Sequence, residues 1–263
     1  MKTVSIGSVT VGAGLPKIAA PIVGQSADDI LRSARIVAAA PCDIAEWRAD
    51  FYDEVFDRGA LLRMLAALRD TLGDKPLLFT FRTAKEGGAR EVSPAAYTAL
   101  TAAAAESGCA DAVDLEVCTG DDLVRDCIGA AHRAGVAVIG SCHDFRATPP
   151  KDTLIAWLRK AQEMGADIAK IAVMPRSPAD VLTLLQATEE MTRLYADRPI
   201  AAMSMSPLGA ISRLCGETFG SALTFGIADQ SSAPGQLPVA ELRAVLELLH
   251  RAAEQPPRFM HTK

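Results

Sequence analysis

Asp167-Ile168-Ala169-Lys170-Ile171-Ala172-Val173-Met174 is the stretch from which the rest of the chain is read. It is short and apolar on both faces, the pattern of a strand buried within a parallel sheet. Alternation places Ile168, Lys170 and Ala172 on one face and Ala169, Ile171 and Val173 on the other. A lysine rarely enters such a strand without a partner or a task. Desolvation disfavours its ammonium form, so Lys170 is a candidate amine nucleophile toward a carbonyl. A snorkelling or ion-paired lysine is the plainer alternative. The preceding run, Val136-Ala137-Val138-Ile139-Gly140-Ser141-Cys142-His143-Asp144-Phe145, starts apolar and ends polar. If the two strands are parallel neighbours, His143 stands beside Lys170, and an amine with a general base suggests imine chemistry. A lone histidine is more often structural, so other parts of the chain must decide.

Apolar runs of the same kind recur about one βα unit apart. They are Lys17–Val23, Asp43–Arg48, Pro76–Arg82, Ala110–Val117, Val136–Cys142, Asp167–Val173, Pro199–Met205 and Ser221–Ile227. Helical patterns separate them: Ser26–Ala39, Arg58–Leu72, Ser93–Ser107, Asp121–Ala134, Thr153–Met164, Ser177–Tyr195, a short Pro207–Leu214, and Val239–Ala253. Ser26 with Asp28 and Asp29, and the Ser-Pro openings at Ser93 and Ser177, are start signals. Gly73, Gly108, Gly135 and Gly165 are stops. Eight strands alternating with eight helices predict an α/β fold, a (β/α)8 TIM barrel filling a single domain over 1–263. Val4–Val11, before Gly12-Ala13-Gly14, predicts a short N-terminal β-hairpin. A doubly wound open sheet is the competing architecture, but no GxGxxG follows the first strand.

The 263 residues, 49% hydrophobic, suffice for one barrel of the usual size of about 250 residues. The net charge of -5 argues against a nucleic-acid partner. No apolar run approaches the roughly 18 residues of a membrane span, and Met1-Lys2-Thr3-Val4-Ser5 carries no signal-peptide pattern. The six cysteines form no CxxC pair. They read as reduced and mostly structural, which predicts a cytoplasmic protein without a zinc site.

In a barrel the active site lies at the C-terminal ends of the strands. Glu46 and Arg48 share one face at the end of the second strand, and Arg82 ends the third, followed by Glu86-Gly87-Gly88. His143 ends the fifth, Lys170 sits in the sixth, Met203 and Met205 end the seventh, and Arg213 follows. After the eighth comes Asp229-Gln230-Ser231-Ser232-Ala233-Pro234-Gly235-Gln236. Each has a plainer alternative: an ion pair for Glu46 and Arg48, packing for the methionines, a turn for the glycines, a solvated helix position for Arg213. Together they set cations at one rim of an acidic protein, which suits a small anionic ligand.

These residues also carry a resemblance. Glu46-Trp47-Arg48-Ala49-Asp50, Phe79-Thr80-Phe81-Arg82-Thr83, Ser141-Cys142-His143-Asp144-Phe145, Ala169-Lys170-Ile171-Ala172, Met203-Ser204-Met205-Ser206-Pro207-Leu208-Gly209, Ser212-Arg213 and Ser232-Ala233-Pro234-Gly235-Gln236 occur in order over nearly the whole chain. In these segments the chain resembles the type I 3-dehydroquinate dehydratases. The resemblance implies a Schiff-base lyase that converts 3-dehydroquinate to 3-dehydroshikimate and water in the shikimate pathway of aromatic amino acid biosynthesis. It implies that Lys170 forms the imine, His143 is the general acid/base and Glu86 orients His143. It further implies that Arg213 holds the substrate carboxylate, while Glu46, Arg48, Arg82 and Gln236 bind hydroxyls or shape the pocket. Ser232 and Gln236 would lie on a closing loop. No metal or other cofactor is implied, and a homodimer is. Pro21 departs from the pattern, because many relatives place there a serine able to touch substrate. Two rivals are an imine-forming aldolase for sugar phosphates, which would want a phosphate site near the last strands, and a catalytically dead barrel, which would want Lys170 or His143 lost.

Overall fold

The computed structural model describes residues 3–118 and 120–254. The expected span 1–263 therefore includes 1–2, 119 and 255–263, which lie outside the described residues. Among those described, ten strands and nine α-helices follow one another. A hairpin, β1 (Val4–Ile6) and β2 (Val9–Val11), comes first. The barrel strands are β3 (Lys17–Ile22), β4 (Ile44–Arg48), β5 (Leu77–Thr80), β6 (Ala112–Glu116), β7 (Ala137–Asp144), β8 (Ile168–Val173), β9 (Ile200–Ser204) and β10 (Leu223–Phe225). The helices are α1 (Ala27–Ala39), α2 (Arg58–Leu72), α3 (Pro94–Glu106), α4 (Asp121–Arg133), α5 (Lys151–Met164), α6 (Pro178–Leu194), α7 (Ile211–Leu214), α8 (Gly216–Phe219) and α9 (Val239–Glu254).

The eight barrel strands pair in parallel in the order β10-β3-β4-β5-β6-β7-β8-β9. The ring is nearly closed by an isolated bridge between Ile200 and Ser221, where Ala222 N donates to Ile200 O at 2.8 Å. The Ser221 hydroxyl extends this seam by accepting from Ala202 N at 3.0 Å. This is the expected (β/α)8 barrel with its N-terminal hairpin; the open doubly wound sheet is excluded by that closure.

Alternation along the strands sorts the side chains into an outer, helix-facing set and an inner set. Ile18, Trp47, Phe79, Val113, Val138 and Ile171 belong to the large core between strands and helices. Inside the barrel, Ala19, Ile44, Leu78, Ala112, Ile139, Ile168, Ala201 and Leu223 form an apolar lower layer. Ile6 and Val11 of the hairpin, both fully buried, join that layer. One step up, register places Thr80 beside Asp114, and Glu116 beside Ser141 and Lys170. The interior is thus apolar below and charged above, and this polarity fixes which end bears the site.

Helix starts follow capping chemistry. Ser26, Asp57, Ser93 and Ser177 each accept from the backbone N–H three residues on, and Ser177 with Asp180 forms a full capping box. Two helices differ from expectation. α5 starts at Lys151, directly after Pro150 and two residues before the expected Thr153, with no side-chain cap among the described residues. Pro207–Leu214 is not one helix but a 3-10 turn followed by α7, with α8 beyond it. At the break Ser212 Oγ donates to Gly209 O at 2.7 Å and accepts from Ser204 N at 2.8 Å, tying the turn to the end of β9. Likewise Arg82 lies two residues past the end of β5, where the chain leaves the ladder for a turn over Ala84–Glu86.

The hairpin acts as the plug of the lower layer. Ile6→Ala should lower stability in denaturant titration by about 2–5 kcal/mol, the cost of emptying a buried isoleucine site. A loss below about 0.5 kcal/mol would show that the hairpin does not seal the barrel.

Candidate active site

Lys170 is 5% exposed and projects into the upper barrel from the middle of β8. Its Nζ donates to Asp114 Oδ2 at 2.9 Å and lies 4.4 Å from the centroid of the Phe225 ring. Asp114 comes from β6, on the same interior face as Ala112. Its other oxygen accepts from Arg82 Nη2 at 2.7 Å and from Ser141 Oγ at 2.6 Å. Burial opposes its charge, but the Arg82 and Lys170 cations outweigh burial and hold its carboxyl well below the usual range.

His143 stands on β7, the strand paired with β8, in register with Ala172 and two residues above the Ser141–Lys170 pair. Both ends of the Glu86 contact are set by backbone. Glu86 Oε2 lies 2.8 Å from His143 Nδ1 and also accepts from His143 N at 3.1 Å. Burial pushes the His143 imidazole well below the ordinary histidine range, and the Arg82 and Lys170 cations act in the same sense. Burial and the neighbouring Glu116 charge push the Glu86 carboxyl up to about 8 against the opposing pull of Arg82. The result is a neutral imidazole whose Nδ1 side is engaged. Glu86 reaches this position because Gly87 turns with φ 84°, and a Cβ there would run into the Phe145 ring.

Two arginines illustrate opposite fates of a buried guanidinium. Arg82 is surrounded by Asp114, Glu116 at 3.1 Å and Glu86 at 3.8 Å. Arg213, 1% exposed, faces no carboxylate at ion-pair distance among the described residues. Among the described residues its donors reach only Met203 Sδ (3.4 Å), Phe225 O (3.4 Å) and Pro234 O (3.2 Å), and its Nε has no partner. Burial alone pulls it down to about 10. A desolvated cation without a counterion is costly, and an anion beside it would relieve that cost.

The loop after β10 lies over the mouth. Arg48 Nη1 donates to Ser232 O at 3.0 Å while its Nε and Nη2 grip Asp50 bidentately, both at 2.8 Å. Gln236 Oε1 accepts from Ser232 N at 3.0 Å and from Ser231 Oγ at 3.1 Å. Pro234 O accepts from Ser206 N at 3.1 Å, and Ser206 holds a φ of 60°. Gly235, at φ 77°, passes so close to the Ser206 carbonyl that a Cβ would overlap it. The loop's small side chains offer little apolar anchorage; it is held instead through its own carbonyls, Ser232 O by Arg48 and Pro234 O by Ser206 N and Arg213.

Glu46, Arg48, Arg82, His143, Lys170, Arg213, Ser232 and Gln236 all line one cavity of about 450 Å³ counted to its open mouth. Glu86 does not line it and stands behind His143. Pro21, in register with Glu46, offers no side-chain donor. Glu46 accepts from Thr80 Oγ1 at 3.0 Å. Sequence reading missed Asp114, Glu116, Asp50 and Ser141. The signal was present: an acid at an inward position of an otherwise apolar strand, Ala112-Val113-Asp114-Leu115-Glu116, is as anomalous as Lys170.

With the geometry described, comparison with known proteins is direct. Residues 18–253 match the family model of type I 3-dehydroquinase. A 3-dehydroquinate dehydratase of Salmonella paratyphi B is 52% identical over 252 residues, 96% of this chain and 100% of that protein. The type I 3-dehydroquinate dehydratase of Clostridium difficile, solved with covalently modified comenic acid, superposes with a TM-score of 0.93 at 47% identity, covering 95% of this chain and 99% of that one. The 3-dehydroquinate dehydratase of Geobacillus kaustophilus gives a TM-score of 0.93 at 42% identity over 97% and 98%. The carboxyl transferase domain of Rhizobium etli pyruvate carboxylase, at 14% identity and a TM-score of 0.68, shares the barrel alone. The chain is an enzyme of the type I 3-dehydroquinase family.

Proposed function

We propose that this cavity dehydrates 3-dehydroquinate to 3-dehydroshikimate through an imine on Lys170, with His143 as general acid and base. The observation that carries the reading is the pairing of two anomalies in one cavity. One is a lysine in the barrel interior beside a neutral imidazole. The other is Arg213, a buried cation with no counterion among the described residues. Together they suit a substrate with a ketone and a carboxylate, and a planar guanidinium matches two carboxylate oxygens.

In this reading Nζ gives up a proton to His143 and attacks the ring ketone; His143 returns that proton to the carbinolamine hydroxyl, which leaves as water, so the protonated imine remains and the imidazole is free again. The protonated imine draws electrons from the ring and acidifies the adjacent C2–H. His143 removes a C2 proton; the enamine returns its electrons, expelling the C1 hydroxyl, which takes that proton from His143 and leaves as water. Water then hydrolyses the imine, releasing 3-dehydroshikimate and the amine. The imine is the electron sink, so no metal is required. Glu86 keeps the imidazole oriented from behind, Asp114 and Phe225 steady the amine, and Glu46, Arg48 and Arg82 shape the wall. Ser232 and Gln236 close the loop over the ring hydroxyls. The same reading assigns the product to the shikimate pathway. A sugar-phosphate aldolase is less well supported, because the cation near the last strands is one guanidinium suited to a carboxylate.

Purified protein given 3-dehydroquinate should develop the ultraviolet absorbance of a conjugated enone, and prolonged chelation should leave the rate unchanged. Folded protein that gives no such absorbance, or whose activity disappears on chelation and returns with a divalent ion, contradicts the reading. Lys170→Ala should abolish the signal.

His143→Ala separates the nucleophile from the proton shuttle. Turnover should fall by roughly 10²–10⁴-fold, the usual value of a positioned acid–base group. A covalent adduct should still accumulate, formed more slowly without that proton acceptor but also hydrolysed more slowly, and add mass to the intact protein. Near-normal turnover would make His143 structural and return the search for a base to Glu86.

A further inference from the structure

One group of side chains outside the cavity has no part in this chemistry. Cys118, just beyond β6, is exposed, and Cys142 on β7 is 3% exposed. Their sulfurs lie 2.8 Å apart. The adjacent strands hold them there, because Glu116 is in register with Ser141 and Val117 N donates to Ser141 O at 2.9 Å. Both sulfurs are within 4.8 Å of the Glu86 carboxylate, and Cys142 immediately precedes His143. The four remaining thiols, Cys42, Cys109, Cys127 and Cys215, are free, and Cys42 and Cys127 are buried.

We propose that Cys118 and Cys142 are a peroxide-sensitive dithiol that closes to a disulfide beside the His143–Glu86 pair and slows turnover. Such a pair needs an accessible attacking sulfur and a resolving sulfur already in contact with it. Cys118 is the attacking one. The hydrogen bond from Cys142 pulls its thiol down to about 7; burial opposes this, and the Lys160 ammonium assists it. Cys142, pushed upward by that same hydrogen bond and by burial, keeps its proton.

The chemistry balances with hydrogen peroxide as the oxidant. The Cys118 thiolate attacks a peroxide oxygen. An S–O bond forms, the O–O bond breaks, and the departing hydroxide becomes water on protonation. The sulfur, oxidised by two electrons, is now a sulfenic acid. The Cys142 sulfur then attacks it: the S–S bond forms, the S–O bond breaks, and the leaving hydroxide takes the Cys142 proton as a second water. Closing 2.8 Å to a disulfide length of about 2.05 Å draws the end of β6 toward β7 against the carboxylate that orients His143. A metal is the poorer occupant of this cluster. Glu86 is already engaged by His143 and by its backbone N–H, which leaves two sulfurs where structural zinc takes four ligands.

The test treats reduced full-length protein with hydrogen peroxide, quenches with catalase, alkylates, and maps a non-reducing digest. A Cys118–Cys142 linked peptide should appear as turnover falls, and dithiothreitol should reverse both. Cys118→Ser should give neither the link nor the loss. Cys142→Ser should instead accumulate a Cys118 sulfenic acid that dimedone traps. Absence of the link, pairing of Cys118 with Cys109 or Cys215, or equal peroxide sensitivity in Cys118→Ser overturns the proposal.

Discussion

Asp114 carries a negative charge inside the barrel with a side chain that water does not reach, and its two oxygens are divided between Arg82 and Lys170. A carboxylate so buried survives only while both cations remain, and breaking such a pair costs on the order of 3–5 kcal/mol. The dependence is mutual. Lys170 would be an isolated buried charge without Asp114, and Arg82 would lose its shortest ion pair. The arrangement demands a dry, apolar floor below, which the lower barrel layer and the hairpin supply. It also demands an upper layer of matched polar groups, which the turn after β5 supplies through Arg82 and the strands β6 and β7 through Glu116 and Ser141.

Matching is nearly complete among these groups, and that gives the exception its meaning. Arg48 has Asp50, Arg82 has Asp114 and Glu116 with the Glu86 carboxyl further off, and Lys170 has Asp114. Arg213 alone among the buried cations of the cavity is left with carbonyls and a thioether. The same side chain type is therefore saturated at one position and left without a counterion at the other, and only the company it keeps tells them apart. The loop carbonyls of Ser232 and Pro234 bind to Arg48 and Arg213, so the cover of the cavity is coupled to the groups that would hold substrate.

Much of this was legible in the sequence because parallel strands impose two-residue alternation and one charged residue breaks it visibly. Lys170 in an apolar run, His143 at a strand end and the Ser-Pro helix openings all read directly. The roles proposed for Glu86 and Arg213 came from the resemblance, because spacing alone could not suggest them. What escaped was tertiary. Asp114 and Glu116 sat within a strand read for its apolar residues, though they obey the same inward alternation as Lys170. Which arginine would be saturated and which bare depended on strands distant in sequence. The loop's anchorage lay in its carbonyls, about which side-chain identity says nothing. The break in Pro207–Leu214 sits where Ser212 Oγ meets the end of β9, a contact between positions eight residues apart that periodicity does not show.

The central claim is that the paired lysine of β8 is the nucleophile. Borohydride added while the protein turns over 3-dehydroquinate would reduce an imine to a stable secondary amine, and peptide mapping would locate it. The account predicts the reduced ligand on the peptide containing Lys170 and on no other lysine peptide. An unmodified Lys170 in protein that is turning over, or trapping at another lysine, would contradict it.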